Sequence, residues 1–466
     1  MTKNEHKRPP IVVVLGHVDH GKTTLLDAIR KTSFAKKEAG GITQGIGAST
    51  VSVGSGDKVT FIDTPGHAAF TKMRSQGAEV SDIAVLVIAA DDGVKPQTKE
   101  AIEVIRDSKI PYIIAMTKTD LPTASIETVK NQLEKEGILM EGRGGDVPVI
   151  SVSGKTGKGI EELLEMIILV SEVSEVKGDP ESPMEAVVIE TRKDKKGPLV
   201  STVTRNGTLK VGKDIYTENQ SIRVKGLFDF KGNPTKKILP GEPAMILGFI
   251  TLPAVGSLIT DSKEFLTGVQ KSGYGKKVEV MEGQLPLVIK AKTAGSLEAI
   301  IENLPEKVVA LEYSEGDVNE SDIFVAKVAG AKIVAFESGV SGSVKKLAET
   351  EGVEIREYDV IYKIFEDLEE ITKEKEKVIL GKAKVLEIFP FNNKKVAGSK
   401  VVEGRIARSD SVSIERDDKA IGNVKIISMK KEKKDIEVAK TGEEFGLIFA
   451  PQLDFMVGDV IVSERN

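Results

Sequence analysis

Gly16-His-Val-Asp-His-Gly-Lys-Thr-Thr24 follows the apolar run Ile11-Val-Val-Val-Leu15 and leads into Leu25-Leu-Asp-Ala-Ile-Arg30. The pattern G-x-x-x-x-G-K-[ST] is met at Gly16, Gly21, Lys22 and Thr23. The run before it reads as a buried strand and the segment after it as a helix. A glycine-rich turn between strand and helix lets backbone N–H groups close around a phosphate at the positive end of the helix. Lys22 is placed to neutralise terminal phosphates, and the Thr23 hydroxyl to complete the shell of a Mg²⁺ ion. His17, Val18, Asp19, His20 and Thr24 are the remaining candidate contacts of this loop.

Residues 9–175 carry four further motifs at the ends of predicted strands. Strands are expected at Val59–Ile62, Ile83–Ala89, Tyr112–Met116 and Pro148–Val152, and helices at Thr98–Ser108, Ile126–Glu136 and Ile160–Val173. This alternation predicts a mostly parallel sheet covered on both faces, with ligands at the carboxyl ends of the strands. Asp63-Thr64-Pro65-Gly66 follows the first of these strands. Asp63 can hold Mg²⁺ through water, and the Gly66 N–H can meet a γ-phosphate. The polar segment Gly40–Gly47 can order over the metal through Thr43 when that phosphate is present. Thr117-Lys118-Thr119-Asp120 and Ser153-Gly154-Lys155 follow the last two strands. Asp120 can accept two hydrogen bonds from the N–H edge of guanine, which adenine cannot supply.

The remaining composition sets limits. The chain has 466 residues, which suggests three or four domains. It has no cysteine, so neither a disulfide framework nor a thiolate metal site is available. The formal charge is −5, so contacts to RNA must rest on local lysine clusters. Three of the four histidines, His17, His20 and His67, fall within the nucleotide motifs, and their spacing fits no structural zinc site. The polar N-terminus carries no signal peptide and no apolar run reaches the ~18 residues of a membrane span, which predicts a cytoplasmic protein.

Together Gly16–Thr24, Gly40–Thr43, Asp63–His67 and Ala90-Asp-Asp-Gly-Val-Lys-Pro-Gln-Thr98 resemble the translational GTPases, and within them the bacterial initiation factor 2 family in a short form lacking the N-terminal extension. The resemblance implies a GTPase of translation initiation. It would place formylmethionyl initiator tRNA on the small ribosomal subunit, promote joining of the large subunit and hydrolyse GTP on the ribosome, as a monomer. His67 would orient the attacking water, behind an apolar gate at Val18 and Ile42, with GTP or GDP and Mg²⁺ as ligands. Two departures stand out: Thr117 replaces the usual asparagine of the base-reading motif, and Gly45 replaces a usual histidine. An elongation-type tRNA carrier and a non-hydrolysing GTP-dependent scaffold are the alternatives. The first should carry two barrels directly after the nucleotide domain, and the second need not keep Lys22, Asp63 and His67.

The expected organisation is a polar tail at 1–8, the GTP-binding domain at 9–175, a first β-barrel at 176–262, a linker at 263–277, an α/β/α sandwich at 278–352, a connecting helix at 353–376 and a second β-barrel at 377–466. In the first barrel Lys193, Lys195, Lys196, Lys236 and Lys237 are candidate phosphate contacts. The helix is expected from Arg356 onward, on the spacing of Tyr358, Ile361, Tyr362, Phe365 and Leu368. Asn206-Gly207 and Val255-Gly256 have counterparts in Glu403-Gly404 and Val457-Gly458, so the two barrels should be of one type. The family resemblance implies a small apolar pocket for the formylated amino acid on the second barrel, at Gly398, Ser399 and Lys400 and at Glu443, Glu444, Phe445 and Gly446. Ser399 and Phe445 stand where cysteines are usual. Lys394, Lys395, Lys430, Lys431, Lys433 and Lys434 are candidate contacts to the acceptor-end phosphates.

Overall fold

The computed structural model describes residues 6–31, 46–54, 56–66, 68–194, 197–262, 284–375, 378–391, 394–416, 419–432, 434–451 and 453–465. The chain divides into two compact units, Met1–Phe365 and Glu366–Asn466.

In the first unit, Ile11–Gly16 lies inside a six-stranded sheet. Across the sheet the order is Gly47–Ser52, Lys58–Asp63, Ile11–Gly16, Ile83–Ala89, Tyr112–Thr117, Val149–Ser151. All neighbours are parallel except Gly47–Ser52, which runs antiparallel to Lys58–Asp63. The strands bury both faces because their apolar runs are continuous. Val12, Val14, Val85 and Val87 pack with Leu25, Leu26, Leu163 and Ile167 on one side. Val13, Leu15, Leu86 and Ile88 pack with Ala101, Ile105, Val129 and Leu133 on the other. The edge strand Gly47–Ser52 and the helix Thr71–Val80 were not foreseen, since neither shows a clean apolar period.

The segment expected as a polar tail contributes a short strand. His6–Lys7 pairs antiparallel with Lys177–Gly178. Arg8 clamps Asp82 with two hydrogen bonds of 2.7 Å, a planar fork matched to a carboxylate.

The first barrel is an eight-stranded antiparallel sheet built on Glu185–Asp194 and Gly197–Asn206. Ser221–Arg223 pairs near one end of that sheet and Gly226–Phe228 near the other. Only Val224 and Lys225 separate them, so the chain curls the sheet round a core of Val188, Val200, Ile215, Ile246 and Ile259.

The sandwich holds four parallel strands in the order Val308–Glu315, Leu285–Ala291, Lys332–Phe336, Ile355–Tyr358. Its helices are Ala294–Glu302, Glu320–Ala329 and Gly342–Glu351. The last strand corrects an expectation. Residues 355–358 pair with Ile333–Phe336 instead of opening a helix. The open sheet edge offers hydrogen bonds that a short stretch of helix cannot match, and the helix starts at Ile361. As described it runs Ile361–Lys375, roughly 22 Å. The expected linker at 263–277 lies outside the described residues.

In the second unit the order Val378–Phe391, Val460–Arg465, Ser411–Arg416, Lys419–Lys431, Glu444–Ala450, Lys394–Ala407 returns to its first strand. This is a closed six-stranded barrel around Val385, Val401, Ile414, Met429, Phe445, Leu447, Phe449 and Ile461. The aligned turn glycines of the two barrels share a left-handed backbone, with φ 66° at Gly207 and 67° at Gly404.

Candidate functional site

The phosphate loop leaves the central strand at Gly16, whose φ of 145° and contact with the Val87 carbonyl exclude a side chain. Gly21 ends the loop, and the helix Lys22–Arg30 begins. Asp19 holds a left-handed backbone with φ 64°, uncommon outside glycine. Lys22 is buried and its Nζ donates to the carbonyls of Gly16 at 2.9 Å and His17 at 2.7 Å. Burial pushes its ammonium down to about 8, opposed by the charge of Asp63. Thr23 is half-buried and Thr24 exposed in the first turn.

The Asp63–Gly66 segment lies directly against this loop. Thr64 Oγ1 donates to the Val14 carbonyl at 2.8 Å. A Cβ on Gly66 would overlap Lys22 Nζ, where it now lies, and sit 3.1 Å from the Val18 nitrogen, so a side chain here would have to displace the lysine. Asp63 is buried, with Arg30 Nη1 3.8 Å from its Oδ2. The wholly buried Arg74 holds this segment from behind, donating to the Pro65 carbonyl at 3.3 Å and to Glu100 at 2.8 Å. His67, Ile42 and Thr43 lie outside the described residues.

The Thr117–Asp120 motif joins the loop through Thr117. Its hydroxyl donates to the His20 carbonyl at 2.5 Å. A short side chain therefore still ties the motif to the phosphate loop. Lys118 takes a left-handed backbone, φ 56°, and its Nζ lies 3.8 Å from Asp91. Thr119 Oγ1 donates to the Val152 carbonyl at 3.0 Å. Ser153 Oγ donates to Asp120 Oδ1 at 2.8 Å, which holds the Asp120 carboxyl below its ordinary value. Gly154 packs on Thr24, where a Cβ would come within 3.0 Å of the Thr24 carbonyl oxygen, and Lys155 is exposed.

His20 is completely buried, edge-on to His17 with ring centroids 4.9 Å apart. Burial lowers its pKa to about 4, the neighbouring His17 adding to the effect. Its Nε2 lies 3.4 Å from Asp92 Oδ2, and Asp92 Oδ1 pairs with Lys95 at 2.7 Å. The three groups offer ligand atoms within 4.8 Å of one another. Lys95 already neutralises their single carboxylate, so the charge balance calls for no ion. Asp91, Asp92 and Gln97 stand in the Ala90–Thr98 stretch that carries the resemblance, which gave none of them a role of its own. Arg74 was not singled out, since it sits on a helix with no motif spacing to mark it.

On the second barrel the expected pocket is not formed by Phe445 and Ser399. Side chains alternate across each strand, and these two face inward, 5% and 2% exposed. They sit opposite each other in register, Phe445 in the core and Ser399 beside it. Gly398 and Gly446, also paired, face outward. The ring of Phe389, 49% exposed, lies over Gly398. Exposed Lys400 pairs with Glu444 at 3.2 Å, and Lys431 with Glu443 at 2.8 Å. Lys395 pairs with Asp454 at 2.6 Å and Lys430 with Asp435 at 3.8 Å. Lys193, Lys236, Lys237 and Lys434 are exposed; Lys195, Lys196 and Lys433 and the side chain of Lys394 lie outside the described residues.

Three families match the chain: Elongation factor Tu GTP binding domain over residues 7–172, Elongation factor G domain 2 over 183–262, and Translation-initiation factor 2 over 267–369. Translation initiation factor IF-2 of Thermotoga petrophila is 41% identical, covering 97% of this chain and 70% of that protein. Translation initiation factor IF-2 of Clostridium novyi is 39% identical, covering 98% and 72%. The crystal structure of GDP-bound aIF5B from Aeropyrum pernix is 28% identical, covering 98% of this chain and 92% of that one, with a TM-score of 0.49.

Proposed function

The chain belongs to the translation initiation factor IF-2 family, and from that premise we propose that it is a guanine-nucleotide switch that escorts initiator tRNA onto the small ribosomal subunit and is reset by ribosome-stimulated GTP hydrolysis. One observation carries the nucleotide reading. The Thr117 hydroxyl on the His20 carbonyl couples the base-reading motif to the phosphate loop, while Ser153 holds Asp120 as an acceptor. Base and phosphates of one nucleotide would thus be gripped by one connected set of groups.

Lys22 would leave the loop carbonyls for the β- and γ-phosphates, and the loop N–H groups would take the phosphate oxygens. The close fit of Gly66 against Lys22 and Val18 supports a γ-phosphate contact from the Gly66 N–H. Thr23 and Asp63 are the residues that would hold Mg²⁺, which would neutralise charge on the phosphates. His67 would orient the attacking water behind a gate of Val18 and Ile42, with Thr43 closing on the metal. The chemistry asks for positioning and charge stabilisation more than for a covalent step.

On the second barrel, the outward face at Gly398 and Gly446 beside Phe389 is the better seat for a formylated methionyl group. An uncharged, apolar end suits an aromatic ring over two glycines. Lys400, two residues along the strand from Gly398, and Lys430, in register with Gly446, flank it for acceptor-end phosphates, with Lys431 and Lys434 as further candidates. The large ribosomal subunit is the expected stimulator of hydrolysis, the cytoplasm the expected compartment, and the monomer the expected working form. No helix among the described residues is long and apolar enough to cross a membrane.

The test is phosphate release from GTP, with and without ribosomes and initiator tRNA. GTP should be preferred over ATP by orders of magnitude, release should rise sharply with ribosomes, and His67→Ala should remove the rise. Lys22→Ala should abolish binding. Equal use of ATP would overturn the reading. Formylated initiator tRNA should bind more tightly than its unformylated form.

A further inference from the structure

One peptide unit of the phosphate loop is held from both sides. The carbonyl of His17 accepts from Lys22 Nζ at 2.7 Å. The N–H of the same peptide, on Val18, donates to Gln97 Oε1 at 3.0 Å. The plane of the His17–Val18 peptide is therefore set by a lysine of the loop itself and by a side chain from a different element.

Gln97 is well placed for such a task. It is the second residue of the helix Pro96–Ser108, half-buried at its N-terminal end. The backbone on either side is fixed: Thr98 N donates to the Lys95 carbonyl at 2.9 Å, and Lys95 N donates to Thr98 Oγ1 at 3.2 Å. Pro96 adds its own restriction on φ. Lys95 is held in turn by Asp92, the residue set against His20 on the loop. A long polar side chain on so rigid a base has little freedom, so its hydrogen bond acts as a fixed strut.

We propose that Gln97 is a positioning residue for GTP hydrolysis, acting through Val18 and not by touching the nucleotide. The proposal rests on the GTPase reading above. Its physical content is the closeness of two loops. The Val18 nitrogen lies 3.1 Å from where a Gly66 Cβ would be. A small rotation of the His17–Val18 peptide would shift the Val18 side chain and press on Gly66 at once. Misplacement of this size weakens a reaction that depends on alignment.

Three variants separate this role from a merely structural one. Gln97→Met keeps the length and removes the acceptor. Gln97→Glu keeps an acceptor oxygen. Gln97→Ala removes both. With full-length protein, single-turnover GTP hydrolysis on ribosomes should fall about tenfold in Gln97→Met and Gln97→Ala, the size expected for one lost hydrogen bond. Gln97→Glu should stay within about threefold of the parent. The loss should lie in kcat, with fluorescent-GDP affinity and KM within about twofold. Equal hydrolysis by parent and Gln97→Met would overturn the proposal, as would equal losses in the Glu and Met variants, or a loss confined to KM. A parent that fails to hydrolyse GTP even with ribosomes would instead overturn the functional reading, and the proposal with it.

Discussion

His20 shows how much one side chain in the loop is asked to tolerate. It is an imidazole with no exposed surface, lying beside a second histidine, and its pKa falls from 6.5 to about 4. Below pH 6.5 the unfolded chain takes up a proton that the folded chain refuses until about pH 4. Stability therefore drops as pH falls through that window, by at most ~3 kcal/mol from this group. His20→Gln should flatten the fall in thermal midpoint between about pH 7 and 5 relative to the parent. Parallel pH profiles for the two proteins would refute the assignment. Glu190 behaves in the opposite sense. Burial raises its carboxyl to about 7 despite hydrogen bonds from Gly295 and Thr191, so its contribution is lost as pH rises. At the same scale, the sequence pointed to Lys22, Asp63, Thr117 and Asp120 because spacing marks them. It marked Gln97 only as part of the Ala90–Thr98 stretch and Arg74 not at all, because what these two do comes from distant segments meeting.

Strand alternation on the second barrel decides what a substitution there reports. Phe445 is packed among Leu447, Phe449 and Phe455, so Phe445→Asp would bury a carboxylate in an apolar core. We expect it to lower the barrel's melting temperature by well over 10 °C, seen by circular dichroism, and to abolish tRNA binding only because the barrel is lost. Gly446→Glu adds bulk and negative charge on the outer face. It should leave the melt close to the parent's while weakening formylmethionyl-tRNA binding about tenfold. Unchanged tRNA affinity in a folded Gly446→Glu protein would rule out that face. The two positions are adjacent in sequence, and only the pleat sends them to opposite sides. The strand Ile355–Tyr358 teaches a related lesson. Its residues also fit a helical period, and pairing with Ile333–Phe336 settles the matter.

For the molecule as a whole, the boundary between the compact units falls inside the helix Ile361–Lys375, between Phe365 and Glu366. A proline at Glu369 should break that helix, at about 3 kcal/mol. GDP affinity of Glu369→Pro should stay within about twofold of the parent, because every candidate nucleotide contact lies before residue 160. A large loss of GDP binding would show that the first unit does not hold its site by itself. Residue order alone determined the phosphate loop, the parallel nucleotide-binding sheet, the two barrels and the sandwich, since these follow from local periodicity and from motifs whose chemistry lies in a few consecutive residues. Only the tertiary structure decided which face of the last barrel Phe445 occupies, where the long helix begins and which side chain braces the His17–Val18 peptide. Each of these depends on a hydrogen-bonding or packing partner far away along the chain, and no short-range pattern records who that partner is.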